Sequence, residues 1–361
     1  MVDSKAILVT GGLGYIGSHT IVELYNKDFL SSNSIKDTYK VIILDDCSTC
    51  SEDILPILND MVGEKIEFHK CSINNRDECE KIFKKHQIYA IIHFAGKKSV
   101  EESINEPLKY YENNFIGTFN LIQLCLKYNV KNFIFSSSCT VYGNRDDRPI
   151  ETEKMLFPIN PYGRSKLFIE HMLKDTAKVN VDFKVALLRY CNPVSAHPSG
   201  LIGEDPFQKP TNLFPVIQNL IRGTLKEMTI FGNDYPTRDG TCIRDYIHVT
   251  DIAQGHIIAL KIFEKENEKL FNENCAIYNM GTNKGYSVKE VVEAYEKVNG
   301  IKLNYKYGNR RKGDAVMALP DCTKIQKDLG WCPKIELEQM CKDSYNFIKK
   351  NYLKDNFIIV N

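Results

Sequence analysis

Ala6-Ile7-Leu8-Val9-Thr10-Gly11-Gly12-Leu13-Gly14-Tyr15-Ile16-Gly17 is a run of buried-strand type that enters a glycine-rich turn. A helical pattern follows from His19 to Asn26. Such a turn lets backbone N–H groups and a helix dipole meet a pyrophosphate. Both Gly11-x-x-Gly14-x-x-Gly17 and Gly12-x-Gly14-x-x-Gly17 fit it, and so does an ordinary tight turn. The next strand, Val41 to Leu44, ends in Asp45-Asp46. A carboxylate there accepts the ribose hydroxyls of NAD and repels the extra phosphate of NADP, so NAD is favoured. The acidic pair falls later than the usual spacing of about 20 residues. The polar stretch Ser31 to Asp37 reads as an inserted loop that explains the delay.

Strand and helix keep alternating. Ile66 to His69 reads as a strand, Arg76 to His86 as an amphipathic helix, and Ala90 to Gly96 as a buried strand ending in small residues. Pro107 to Tyr128 reads as one long helix, and Asn132 to Phe135 as a strand running into Ser136-Ser137-Ser138. Repeated βα units predict an α/β fold, a doubly wound parallel sheet of Rossmann type with ligands at the carboxyl ends of its strands. Gly11, Asp45, Gly96 and Ser138 all fall at such ends. Beyond Asn192 the alternation lapses among Pro, Gly and Asn residues. Residues 1–191 are therefore expected to form the NAD-binding domain and 192–361 mainly a smaller second domain, with 243–263 returning to the sheet.

Lys and Arg number 47 against 46 Asp and Glu, a net charge of +1. That balance carries no footprint of nucleic acid or of an anionic membrane. No apolar run has the length of a membrane span and no signal peptide is evident, so a soluble cytosolic protein is expected. The twelve cysteines then read as reduced thiols. Cys47-Ser48-Thr49-Cys50 lacks the second cysteine pair a zinc site would need, and His19, His93 and His248 read as structural. No metal is expected.

Chemistry concentrates in Pro161-Tyr162-Gly163-Arg164-Ser165-Lys166. On a helix Tyr162 and Lys166 share one face, one turn apart. A tyrosine ionises near pH ~10, and lowering that to about 7 takes roughly 4 kcal/mol. An ammonium about 4 Å away, at an effective dielectric of about 20, supplies about that much. The bland reading of the pair is a solvated helix face. Arg310-Arg311-Lys312-Gly313-Asp314 is likewise either a solvated basic turn or a phosphate clamp.

Several stretches together resemble a known family. They are Val9-Thr10-Gly11-Gly12-x-Gly14-Tyr15-Ile16-Gly17-Ser18-His19, Ile92-His93-Phe94-Ala95-Gly96 and Phe135-Ser136-Ser137-Ser138-x-Thr140-Val141-Tyr142-Gly143. Asn160-Pro161-Tyr162-Gly163-x-Ser165-Lys166, Leu188-Arg189-Tyr190-x-Asn192-Pro193, Phe231-Gly232-Asn233-Asp234-Tyr235 and Arg244-Asp245-Tyr246-Ile247-His248 complete the set. From about Lys5 to beyond Trp331 the chain is similar to the extended short-chain dehydrogenase/reductases, and among them to the UDP-glucose 4-epimerases.

The resemblance implies interconversion of UDP-glucose and UDP-galactose on tightly bound NAD that is recycled in each turnover. Tyr162 would take the proton of the sugar 4-hydroxyl while hydride passes from C4 to the nicotinamide. Lys166 would lower the tyrosine pKa and hold the nicotinamide ribose, and Ser138 would bond the same sugar oxygen. The 4-keto sugar would turn over and take the hydride back on its other face. Cofactor contacts implied are Gly11, Gly14, Tyr15, Ile16, Gly17, Asp45, Asp46, Ser72, Ile73, Phe94, Ala95, Gly96, Lys98, Asn113, Ser136 and Tyr190, with Tyr162 and Lys166. Substrate contacts implied are Asn192, Asn212, Leu213, Thr229, Phe231, Arg244, Tyr246, Arg311, Asp314 and Ala318, with Ser138 and Tyr162. The second domain would thus bind the UDP-sugar. The helices after Pro107 and after Tyr162 would pair across a two-fold axis as a homodimer.

Departures from the family pattern are Asp46 for Asn, Ser72 for Asp, Cys191 for an aromatic residue and Lys97 for an apolar one. A sugar-nucleotide dehydratase or decarboxylase is the nearest rival. A dehydratase would carry an Asp-Glu pair where this chain has Cys139-Thr140-Val141. A non-catalytic NAD-sensing protein would be expected to lack Tyr162, Lys166 or Ser138. Ala318 stands where a tyrosine would wall off the sugar C2 substituent, so UDP-N-acetylglucosamine is a further candidate substrate, unless Met317 or a nearby loop fills the gap.

Overall fold

The computed structural model describes residues 5–26, 39–145, 147–205, 210, 212–311 and 314–353. The expected inserted loop, Ser31 to Asp37, lies outside the described residues. Seven strands form the central sheet: β1 (Lys5–Thr10), β2 (Tyr39–Asp45), β3 (Glu67–Lys70), β4 (Ile88–His93), β5 (Asn132–Ser138), β6 (Lys184–Tyr190) and β7 (Cys275–Met280). Their order across the sheet is β7-β6-β5-β4-β1-β2-β3, and every neighbouring pair is parallel. Strand order reverses beside β1, which opens a crevice at the carboxyl ends of β1 and β4.

Alternation along each strand divides the apolar residues between two layers. Ile7, Val9, Val41, Ile43 and Ile92 pack against α1 (Tyr15–Tyr25), through Ile21 and Leu24. Ala6, Leu8, Ile42, Leu44 and Ile91 point the other way, towards Leu121 and Leu124 of α2 (Gly117–Lys127) and Ile169 and Leu173 of α3 (Pro161–Val179). Each fully buried Leu or Ile contributes roughly 1.5–3 kcal/mol of transfer free energy, so both faces are strongly fixed. The run expected as one helix from Pro107 to Tyr128 is continuous but contains a π-helical segment, Tyr111–Ile116, ahead of α2. Asn113 and Asn114 lie in that segment, and π-turns often re-aim side chains at functional sites.

The sheet draws on more of the C-terminal half than the expected 243–263. Helix α4 (Val249–Leu260) does pack on α1, burying Ile252 and Ile257 in the same layer. β7 adds the seventh strand, however, and Ile325 and Trp331 join that layer as well. β7 was hard to see because it is an edge strand of six residues, separated from its partner β6 by the short strands of the second lobe as well as by α4. The remaining C-terminal residues surround a separate core of Val194, Phe214, Ile217, Tyr246, Val291, Tyr295, Leu337 and Met340. Three small sheets accompany it, each of two or three short strands. Among the described residues no helix is long and apolar enough to cross a membrane.

Candidate active site

Gly11 closes the turn after β1 at φ +68°, and a Cβ there would stand 2.6 Å from the Ala95 nitrogen. A Cβ on Gly17 would stand 2.2 Å from the Gly11 carbonyl oxygen. The turn is therefore pressed against the end of β4 and closed to any larger residue. Gly14 caps α1 with no side-chain hydrogen bond, and the first turn carries no acidic residue. Its N–H donors and positive helix end suit a pyrophosphate. Asp45 is buried and accepts from the Leu13 nitrogen at 3.0 Å and the Cys47 nitrogen at 2.9 Å. Burial pushes its carboxyl up while those N–H groups pull it down. The Cys50 thiol also approaches the oxygen bonded to Cys47 at 3.6 Å, while the oxygen facing Leu13 keeps a further lone pair for a ribose hydroxyl. This cradle fits a dinucleotide.

The other residues expected around a cofactor spread along the same edge. Ala95 donates to the Thr10 carbonyl at 3.0 Å, and Phe94 lies 4.7 Å from the His256 ring. Tyr15 donates to the Ser195 carbonyl at 2.9 Å, and Ile16 packs on the core beside α1. Lys98 sits over the Tyr15 ring and pairs with Glu204 at 2.5 Å. Asp46 accepts from the Ser48 nitrogen, and Ser72 from the Asn74 nitrogen. Ile73 is a core residue packed against Gly117, so it is buried structure first.

The three-serine end of β5 meets α3. Asn160 caps α3 by accepting from the Gly163 nitrogen at 2.8 Å, with Pro161 in the first turn. Its cap fixes Tyr162 at the helix start, on the same side as Ser138. Lys166, one turn on, is buried and donates to the Ser136 carbonyl at 2.8 Å. The Ser136 hydroxyl bonds the Tyr190 hydroxyl. Burial pushes Tyr162 up to about 12, against the opposing pull of the Ser138 side chain, and pushes Lys166 down to about 8. The expected lowering of the tyrosine by Lys166 thus does not prevail here. Lys166 Nζ lies 5.9 Å from the Tyr162 ring centre rather than at the phenol oxygen, and desolvation is the larger effect.

Behind these residues stands a buried network that the sequence reading missed. Glu170 receives Arg189 at 2.8 and 2.5 Å and the Ser137 hydroxyl at 2.6 Å. Arg189 also donates to the Tyr142 hydroxyl at 3.0 Å, and Tyr142 to Asn279 at 2.6 Å. Asn114, rather than its exposed-side neighbour Asn113, holds the loop after β4. It accepts from the Lys97 nitrogen at 2.8 Å and donates to the Lys97 carbonyl and the Ser165 hydroxyl, while Asn113 merely donates to Asn114. The signal for Glu170 was its place one turn beyond Lys166 on an otherwise apolar face.

In the second lobe, Phe231, Arg244, Arg311 and Asp314 converge. The Arg311 guanidinium lies 5.0 Å from the Phe231 ring centre and donates to Asp314 at 2.9 Å, and Arg244 approaches Asp314 at 3.5 Å. Ala318 pairs with Arg244 between short strands and is exposed. Asn192 donates to the Asp245 carbonyl at 3.1 Å. Asn212 caps the helix that Leu213 opens, and Thr229 lies on the strand paired with Tyr305–Gly308. Tyr246 is a buried member of the second core, 6.3 Å from the Phe214 ring, so its place is that of a packing residue.

A family model described as GDP-mannose 4,6 dehydratase matches residues 8–344. The chain is 45% identical over 347 residues to a UDP-glucose 4-epimerase of Bacillus subtilis (strain 168), covering 96% of this chain and 97% of that one. The chain belongs to this family, among the UDP-glucose 4-epimerases. A solved UDP-glucose 4-epimerase from Stenotrophomonas maltophila, with bound NAD and formylated UDP-arabinopyranose, superposes with a TM-score of 0.88 at 37% identity. That match covers 96% of this chain and 98% of the other. The UDP-Glc/GlcNAc 4-epimerase from Campylobacter jejuni gives a TM-score of 0.80 at 36% identity, covering 96% of this chain and all of its own. Within the UDP-glucose 4-epimerase family the segment after Ser138 is telling. Cys139, Thr140 and Val141 form a short 3-10 turn with no carboxylate.

Proposed function

We propose that this chain interconverts UDP-glucose and UDP-galactose, with NAD held in the cradle of Gly11, Gly14, Gly17 and Asp45. The observation that carries the reading is the meeting of Ser138, Tyr162 and Lys166 where β5 ends beside that cradle. When bound, NAD supplies a reversible hydride acceptor for the sugar C4. The protein's part is to move the proton of the 4-hydroxyl. Ser138 bridges that oxygen and Tyr162, Tyr162 receives the proton, and the Lys166 ammonium favours the phenolate by Coulomb attraction. Arg244 and Arg311 grip the diphosphate through charge-assisted hydrogen bonds, while the open wall at Ala318 leaves the hexose free to turn. Residues 1–191 with α4 and β7 serve as the NAD-binding part, and the lobe around Val194 and Tyr295 as the UDP-sugar-binding part. A dehydratase would need acidic residues after Ser138, and Thr140 and Val141 cannot replace them. The test is to incubate the purified protein with UDP-galactose and no added NAD; UDP-glucose must form without net NADH.

Exposed Ile116, Phe119, Leu126 and Phe168, with Phe115 and Met172 beside them, make one apolar face on α2, the π-helical segment before it and α3. It supports a homodimer with those helices paired. Light scattering should give twice the chain mass, and Phe119→Glu should return it to the monomer. All twelve cysteines are free thiols, which supports a reducing, cytosolic location. Exposed Ala318 and half-buried Met317 support acceptance of UDP-N-acetylglucosamine too.

A further inference from the structure

Three clusters among the described residues bring metal-ligating atoms within 4.8 Å of one another: Asp45–Cys47–Cys50, Glu67–His69–His86 and Cys191–Asp245–Cys322. The first two are already committed. Asp45 belongs to the dinucleotide cradle, and Glu67 carries ion pairs from both Lys40 and Lys85. A cation at Glu67 would have to displace two ammonium groups.

The third cluster has no such competitor. Its members come from the residue after β6, the short strand region before Tyr246, and the segment before Thr323. A further thiol, Cys139 at the end of β5, lies 3.6 Å from Cys191 Sγ. In a tetrahedral zinc–thiolate site the sulfur–sulfur edge is about 3.8 Å, from bonds of about 2.3 Å. The carboxylate is oriented from outside: Asp245 accepts from the Thr282 nitrogen at 2.9 Å, the Thr282 hydroxyl at 2.6 Å and the Asn283 nitrogen at 3.0 Å. Such outer hydrogen bonds are what aim a ligand at a metal. Cys322 and Asp245 are buried, while Cys191 and Cys139 are half-buried and give an approach. Gly281 is required for this closeness, since a Cβ there would stand 2.5 Å from Asp245 and 3.0 Å from Cys191 Sγ.

We propose that Cys191, Cys322 and Asp245 form a three-ligand binding site for a thiophilic divalent cation of the zinc class, beside Cys139, and that its occupation inhibits the enzyme. Each cysteine bound releases its thiol proton to solvent, and no electron is transferred. Inhibition follows from position. Cys139 directly follows Ser138 and its thiol lies 3.6 Å from Cys191 Sγ, and Cys191 directly follows Tyr190, whose hydroxyl bonds Ser136, so a cation drawing on Cys191 displaces the residues that hold Ser138 and Lys166.

The test is titration of the full-length purified protein, NAD retained, with cadmium chloride and then zinc chloride. One cadmium per chain should bind with the ultraviolet charge-transfer absorption of a cadmium–thiolate bond. Activity should fall in step and return on adding a chelator. Cys322→Ser should keep its activity without metal and bind cadmium at least tenfold more weakly; Cys191→Ser is a second variant should the first not fold. Cys50→Ser should change nothing. No thiolate absorption, or absorption that survives Cys322→Ser and Cys191→Ser but disappears in Cys50→Ser, overturns the proposal. Binding without loss of activity removes its inhibitory half.

Discussion

The two halves of the site are built to different standards. At the end of β5, Ser138 and Lys166 are buried, on a seven-residue strand and a 19-residue helix, and the Glu170–Arg189 pair locks them from behind. Across the cleft, Phe231, Arg311 and Ala318 are exposed and sit on loops or strands of two to four residues. The contrast suits the proposed reaction. Proton transfer tolerates little displacement of the reacting groups. A sugar that must present both faces needs a firm hold on its nucleotide and a loose one on the hexose.

Breaking the rigid half at its centre should have the largest effect. Tyr162→Phe removes the base and keeps the ring, so turnover should drop roughly 10²–10⁴-fold while bound NAD, read by its absorbance after denaturation, stays at the wild-type level. Turnover at the wild-type rate would reject the mechanism.

Glu170→Gln strikes the same half without touching substrate. It leaves Arg189 buried beside an uncharged amide, and breaking a buried pair costs about 3–5 kcal/mol, measurable by denaturant unfolding. It also removes a carboxylate that holds the Lys166 pKa up. A lysine is charged below its pKa, so without Glu170 the ammonium is lost at a lower pH. The alkaline limb of the rate profile should then move towards neutral. An unchanged limb would make Glu170 a stability residue only.

Changes on the loose half should act on binding. Arg311→Ala removes one charge-assisted contact to the diphosphate, so KM should rise about 10–100-fold with kcat little altered. A fall in kcat alone would contradict the division of labour. Ala318→Tyr should produce the smallest change, lowering the rate on UDP-N-acetylglucosamine relative to UDP-glucose by several-fold. An unchanged ratio of the two rates would mean that Ala318 does not border the sugar.

The same contrast marks what could be read before the structure. Gly11, Asp45, Ser138, Tyr162 and Lys166 were legible because each sits at a fixed offset from a strand end or helix start, and the hydrophobic period announces those ends. The pairing of Glu170 with Arg189 was not, since 19 residues and one strand boundary separate them and the place of Glu170 one turn beyond Lys166 names no partner. The hold of Asn114 on the loop after β4 was not legible either, because a π-turn shifts which side chain points inward. That register is set by packing on α3.

By itself, then, the sequence determined the alternating elements, the parallel sheet, the preference for NAD and the tyrosine–lysine pair, all consequences of spacing within a few turns or one strand. Only the tertiary structure decided that β7 returns to the sheet and that Tyr246 packs inside the second core. It also decided that Lys166 reaches the Ser136 carbonyl and that Cys191, Cys322 and Asp245 meet. The reason is physical. Periodicity reports which way a side chain points from its own backbone, whereas contacts between distant segments depend on how whole layers dock, and burial at those contacts then sets which groups hold a charge.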